Sequence, residues 1–127
     1  MLETAGQGAS SLTFTPGSDI FTPVQINEIR AKIKAGRFSM TDHALTESFK
    51  DGVTITDILY GLDHGKIIEE YPHRKRCLIY GKSKNKIPIH MVIDYSWEEE
   101  LDIVTVYAPD PRQWTNYQTR KIKRSKI

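Results

Sequence analysis

The chain has 127 residues, enough for one domain with a single core and too few for two comfortable ones. Its 39% hydrophobic and 27% charged residues are ordinary for a folded chain, and no apolar run nears the roughly 20 residues of a membrane helix. A net charge of +2 announces no nucleic-acid partner by itself, although basic residues gather in 73–76, 82–86 and 120–127 and acidic ones in 97–102.

Residues 1–21 are rich in Ser, Thr, Gly and Pro without hydrophobic periodicity and read as a flexible arm. They contain no basic segment followed by an apolar stretch, so no secretory signal is expected and a cytoplasmic location follows. A single α+β domain is expected over 22–117, followed by a basic tail over 118–127. Thr22 and Pro23 suit the start of a first helix, whose rough apolar stripe is Val24, Ile26, Ile29 and Ile33 before Gly36. A second helix is expected from Ser39 or Thr41 to Asp51-Gly52, where glycine can take the left-handed C-terminal conformation. A third is expected from the Thr54-x-x-Asp57 capping pattern to Gly65.

From Lys66 the period changes. Residues 66–71, 76–82, 87–95 and 101–108 are rich in β-branched and aromatic residues and are separated by turn-like segments. The links are short, so a four-stranded antiparallel meander is expected, with about three N-terminal helices covering one face. Pro109 and Pro111 end the last strand, and residues 112–117 are expected to add one helical turn before the tail. Cys77 is the lone cysteine, which rules out an internal disulfide and a Cys-x-x-Cys zinc site; it reads as an inert thiol in an apolar strand.

The histidines, His43, His64, His73 and His90, form no metal-binding pair, and no calcium loop, glycine-rich phosphate loop or Gly-x-Ser-x-Gly elbow is present, so no cofactor is expected. Acid–base and electrostatic chemistry remain. Strand alternation places His90 opposite in sense to Ile89, Met91 and Ile93, and Arg76 and Tyr80 opposite to Cys77 and Ile79. One sheet face therefore gathers Arg76, Tyr80 and His90, while strand register decides whether Thr105 and Tyr107 join them. Each has a plainer reading: a satisfied or solvent-facing histidine, a surface arginine, tyrosines that pack amphipathically. His43 reads equally as a residue near a helix start, and His64 as a cation favoured at a helix C-terminus.

His43-Ala44, Gly65 and Glu69, Gly81, the Pro-Ile-His90-Met-Val strand and Thr105-Val106-Tyr107 occur in an order and spacing that resembles a small bacterial family of unknown function over about residues 39–110. That family is similar to the RelE and MqsR toxins of the barnase, EndoU and colicin ribonuclease-like group. The resemblance implies a RelE-like fold and a metal-independent RNA endonuclease of a toxin–antitoxin system, with RNA as substrate and a zinc-finger antitoxin as partner. Under it, His43 and His90 are the acid–base candidates, Arg76 and the weaker Lys75 clamp phosphate, Tyr80 or Tyr107 stacks on a base or donates a proton, and Thr105 lies beside them. The rival reading is a non-catalytic module whose basic surface docks an antitoxin, a nucleic acid or another protein.

Overall fold

Two threonines begin two of the helices. The Thr41 hydroxyl accepts from the Ala44 amide at 3.0 Å and donates to the Val104 carbonyl at 3.2 Å, so one side chain both caps a helix and ties it to a strand. Thr54 and Asp57 form a reciprocal capping box. In the computed structural model, which describes residues 24–121, these caps start α2 (Asp42–Lys50) and α3 (Ile55–His64), preceded by α1 (Ile26–Lys34). Gly52, at φ +72°, follows α2 in the left-handed conformation its place requires. The Arg30 side chain of α1 donates to the Gly65 carbonyl at 2.5 Å and to the Leu62 carbonyl at 3.4 Å, fastening α1 to the end of α3. The 1–21 arm, the proposed start at Thr22-Pro23 and the end of the basic tail, 122–127, lie outside the described residues, but Val24 and Gln25, expected within the first helix, precede it, with Gln25 extended at its N-cap.

The expectation of α+β with three helices holds, and the four expected strands are present as β2 (Lys66–Tyr71), β3 (Arg76–Lys82), β4 (Pro88–Asp94) and β5 (Leu101–Tyr107). The sheet, however, has five strands and is mixed, in the order β1-β5-β4-β3-β2. The fifth is β1 (Phe38–Met40), which pairs parallel with β5 and takes in Ser39, one of the two expected helix starts; the other, Thr41, is the one that caps α2. Three residues are too few to show a period of two, so tertiary pairing alone reveals this strand. Residues 112–117 likewise form no helical turn. They supply β6 (Trp114–Thr115), which pairs with β7 (Thr119–Arg120) as a small second sheet. Its turn places Asn116 and Tyr117 at φ +51° and +62° and is closed by the Gln118 amide on the Thr115 carbonyl, the geometry of a tight hairpin turn.

The helices bury Ile29, Ala44, Ile58 and Leu62 against one sheet face, that of Cys77, Ile79, Ile89, Met91, Ile93, Ile103 and Val106. Burial of this apolar set is the main source of stability. Gly61 and Gly81 let α3 approach β3 closely: a Cβ on Gly81 would strike the Gly61 backbone. That contact sets Tyr60 and His64 beside the end of β3.

Two β-bulges determine what stands on the opposite, helix-free face. In β2 the register shifts between Ile67, which faces Ile79, and Glu69, which faces Leu78. In β5 Ile103 faces Ile93 but Thr105 faces Val92, leaving Val104 as the extra residue. Strict alternation would put Glu69 and Tyr71 with Ile67, and Thr105 and Tyr107 with Ile103, on the core side. The bulges turn all four to the helix-free side, which settles the register question that alternation left open.

Candidate functional site

His90 sits in the middle of the helix-free face between Tyr80 on β3 and Tyr107 on β5, its cross-strand neighbours. It is fully buried, because the β6–β7 hairpin lies over it. The Trp114 ring stands edge-on at 4.4 Å from the imidazole, and the Tyr117 carbonyl lies 2.6 Å from Nε2. A carbonyl only accepts, so Nε2 carries the proton. Burial lowers the pKa of His90, against the opposing pull of the Tyr117 carbonyl, and the ring is neutral. Nδ1 then accepts from the Tyr107 hydroxyl at 3.0 Å. Both ring nitrogens are thus committed within the fold. Burial raises Tyr107 to about 12, which keeps that hydroxyl a donor.

Beside this buried cluster the face opens into a cavity of about 530 Å³, bordered by Tyr71, His73, Arg74, Arg76, Thr105 and Arg120. The 3-10 turn Pro72–Arg74 and Lys75, left-handed at φ +55°, join β2 to β3 and place the basic run at the cavity edge. Arg76 Nε donates to Asp94 at 2.9 Å. Burial works to raise the Asp94 carboxyl, but hydrogen bonds from the Ser96 hydroxyl and amide and from Arg76 hold it below the usual carboxylate range. Arg120 reaches back from β7 to Glu69 through Nε at 2.9 Å and a terminal nitrogen at 3.2 Å, and its guanidinium lies 4.7 Å from the centre of the Trp114 ring. The Tyr71 hydroxyl donates to the same Glu69 carboxylate; burial, then that bond, raises its pKa. Arg74 is exposed, with no carboxylate partner among the described residues. This arrangement presents anchored guanidinium groups to a solvent-open hollow, the chemistry of an oxyanion or phosphate holder.

A second basic hollow of about 500 Å³ lies at the other end of β3, where Lys66, Lys82, Lys84 and Lys86 meet Tyr60, His64 and Tyr80. Tyr80 thus borders this hollow as well as the buried His90.

Of the residues singled out from the sequence, Tyr80, His90 and Tyr107 are brought together; Arg76 and Thr105 border the arginine cavity. Lys75 is exposed on the adjoining turn and does not border it. His43 is exposed at the start of α2, which packs against β5, and borders neither hollow. Sequence reasoning missed Glu69, Tyr71 and Arg120 as members of one cluster. The Glu69–Arg120 pair spans 51 residues, and only the β2 bulge and the hairpin bring it together.

Residues 40–108, more than half of the chain, match the family described as a domain of unknown function, DUF4258, and the chain belongs to that family. The match ends before the hairpin that carries Trp114 and Arg120. No curated protein and no solved structure matches the chain, and nothing in the family match links it to the RelE and MqsR toxins. Among the described residues, no helix is long and apolar enough to cross a membrane.

Proposed function

We propose that the chain is a toxin-like, metal-independent RNA endonuclease, acting from the arginine cavity and held in check by an antitoxin partner. The observation that carries the reading is the convergence of Arg74, Arg76, Arg120 and His73 on one open hollow beside a carboxylate, Glu69. In RNA the 2′-hydroxyl attacks the adjacent phosphorus while the 5′-oxygen leaves, giving a 2′,3′-cyclic phosphate and a new 5′-hydroxyl. The reaction needs a proton acceptor, a proton donor and cations on the phosphate. Glu69 takes the proton from the 2′-hydroxyl, His73 supplies one to the leaving oxygen, and the three arginines hold the phosphoryl oxygens. Asp94 orients Arg76. His90 is a positioning residue in this scheme: it anchors the hairpin from which Arg120 projects.

The test is cleavage of total cellular RNA in EDTA, with and without ribosomes, by the wild-type chain and by Arg74→Ala and His73→Gln. Both side chains are exposed, and a urea titration of each variant checks that it folds as the parent does. Each variant is expected to cut at least about 100-fold more slowly. Intact RNA in both wild-type arms would refute the reading.

The rival, a docking module without catalysis, draws on a specific observation: His90 has both nitrogens committed to the fold, so the most central histidine offers substrate no proton site. It predicts tight RNA or antitoxin binding with no cleavage in either arm.

A further inference from the structure

The four lysines at the far end of β3 differ from Arg76 and Arg120 in having no carboxylate within ion-pair distance among the described residues, and all four are exposed. All four border one hollow. They come from three places: the start of β2 (Lys66), the end of β3 (Lys82) and the β3–β4 turn (Lys84, Lys86). Ser83 shapes that turn. Its hydroxyl accepts from the Asn85 and Ile87 amides at 3.2 and 3.1 Å, so the loop carrying Lys84 and Lys86 is tied down.

Aromatic rings share the hollow. Tyr60 and His64, one helical turn apart on α3, lie with ring centres 4.2 Å apart and a 30° tilt, and the His64 ring is fixed by its Nδ1 bonding the Tyr60 carbonyl at 3.0 Å. Tyr80 supplies a further ring from β3. Unpaired ammonium groups beside flat rings are what a single-stranded nucleic acid requires: cations track the phosphates and rings receive unpaired bases. An acidic peptide would use the lysines and leave the rings idle.

Placement matters as well. Arg76, Tyr80 and Lys82 lie on the same side of β3, and six residues at about 3.3 Å each put Lys82 about 20 Å from Arg76. The hairpin lies between, with Arg120 bordering the first hollow and Gln118 the second. We propose that the lysine hollow is a second, non-catalytic subsite that holds the backbone of a single-stranded RNA several nucleotides from the phosphate bound among the arginines. Its place along the strand rests on the reading of the arginine cavity given above.

The experiment uses the full chain and a fluorescein-labelled 2′-O-methyl RNA of about a dozen nucleotides, which cannot be cleaved, followed by anisotropy over a range of salt. Lys82→Gln/Lys84→Gln is expected to flatten the slope of log K against log salt by about 1.4, about 0.7 for each lost phosphate contact, and Lys82→Arg/Lys84→Arg to restore it. A dinucleotide probe, too short to reach from one hollow to the other, is expected to bind with the same slope in all three proteins. An unchanged slope for the long probe overturns the subsite; so does equal or tighter binding of polyglutamate, which would make the hollow a site for an acidic protein. Cleavage by the wild-type chain is scored separately. Lysine-dependent binding without cleavage leaves the subsite standing and removes the endonuclease reading, whereas cleavage with a lysine-independent slope does the reverse.

Discussion

The arginine cavity and the lysine hollow occupy two ends of one strand and carry similar charge, yet they are built on opposite principles. Arg76 and Arg120 are each anchored by a carboxylate, and Arg120 also by an aromatic ring; the anchoring of Arg120 rests on a hairpin seated over a buried histidine and on the β2 bulge. The lysines are held only by the backbone beneath them. Anchoring fixes the direction of a guanidinium and removes part of its charge from solution; leaving a lysine unpaired preserves the field and surrenders the direction. The first arrangement suits recognition of one phosphate in one geometry, the second suits attraction of a chain whose phosphates arrive in many.

That contrast should be visible first in stability. His90→Ala removes the partner of the Tyr117 carbonyl and of the Tyr107 hydroxyl under a buried tryptophan, and about 3 kcal/mol of unfolding free energy should be lost in urea titrations. A loss under about 0.5 kcal/mol would mean that the hairpin is not seated as described.

Acid should act on the same end. A histidine whose pKa is lowered by folding binds its proton more readily in the unfolded chain, so the stability it contributes is present above its ordinary value of about 6.5 and is lost as pH falls through its own lower value. Tyr107 has the opposite sign: raised to about 12, it contributes stability below about pH 10 that is lost as pH climbs through 12. Trp114 emission, followed in a Trp97→Phe background, should report both edges of this window. A flat acid limb with the hairpin seated would separate His90 from hairpin closure.

Arg120→Ala removes a largely exposed ion pair and a ring contact, and the expected loss is about 1 kcal/mol. Last comes the lysine end, where Lys82→Gln/Lys84→Gln should leave the urea midpoint within about 0.5 kcal/mol of the parent. A larger shift would show that these side chains carry structure and would narrow the contrast between the two ends.

The helices and the four long strands were legible in the sequence because their signals are local: a threonine three residues before an aspartate, a glycine after an apolar stripe, runs of β-branched residues between turns. What was not legible depends on distance. Phe38–Met40 becomes a strand only through Leu101–Ile103, and Trp114 becomes a cover only because His90 lies beneath it. The charge run at 73–76 was visible, but its companions Glu69 and Arg120 come from a bulge and from a hairpin that the prolines at 109 and 111 had suggested as an ending. His90 was rightly placed off the apolar face. Its burial could not be read, since a polar residue in an alternating strand looks the same whether water or a tryptophan covers it.

The two bulges also bear on how this family can diversify. A strand of this sheet reads in a frame of two, and Ile68 and Val104 each act as a frame shift, decoding the residues that follow onto the other face. Loss of Ile68 or Val104 itself would remove the bulge and leave Glu69 and Tyr71, or Thr105 and Tyr107, opposite the same partners; running the same residues straight, without the bulge, would instead exchange them for their neighbours on the helix-free side while the earlier part of the strand stays in register with the core. A bulge formed or straightened at constant length therefore rewrites the chemistry of the face without touching the helices that hold the sheet, and two DUF4258 chains of equal strand length and composition can present unlike surfaces.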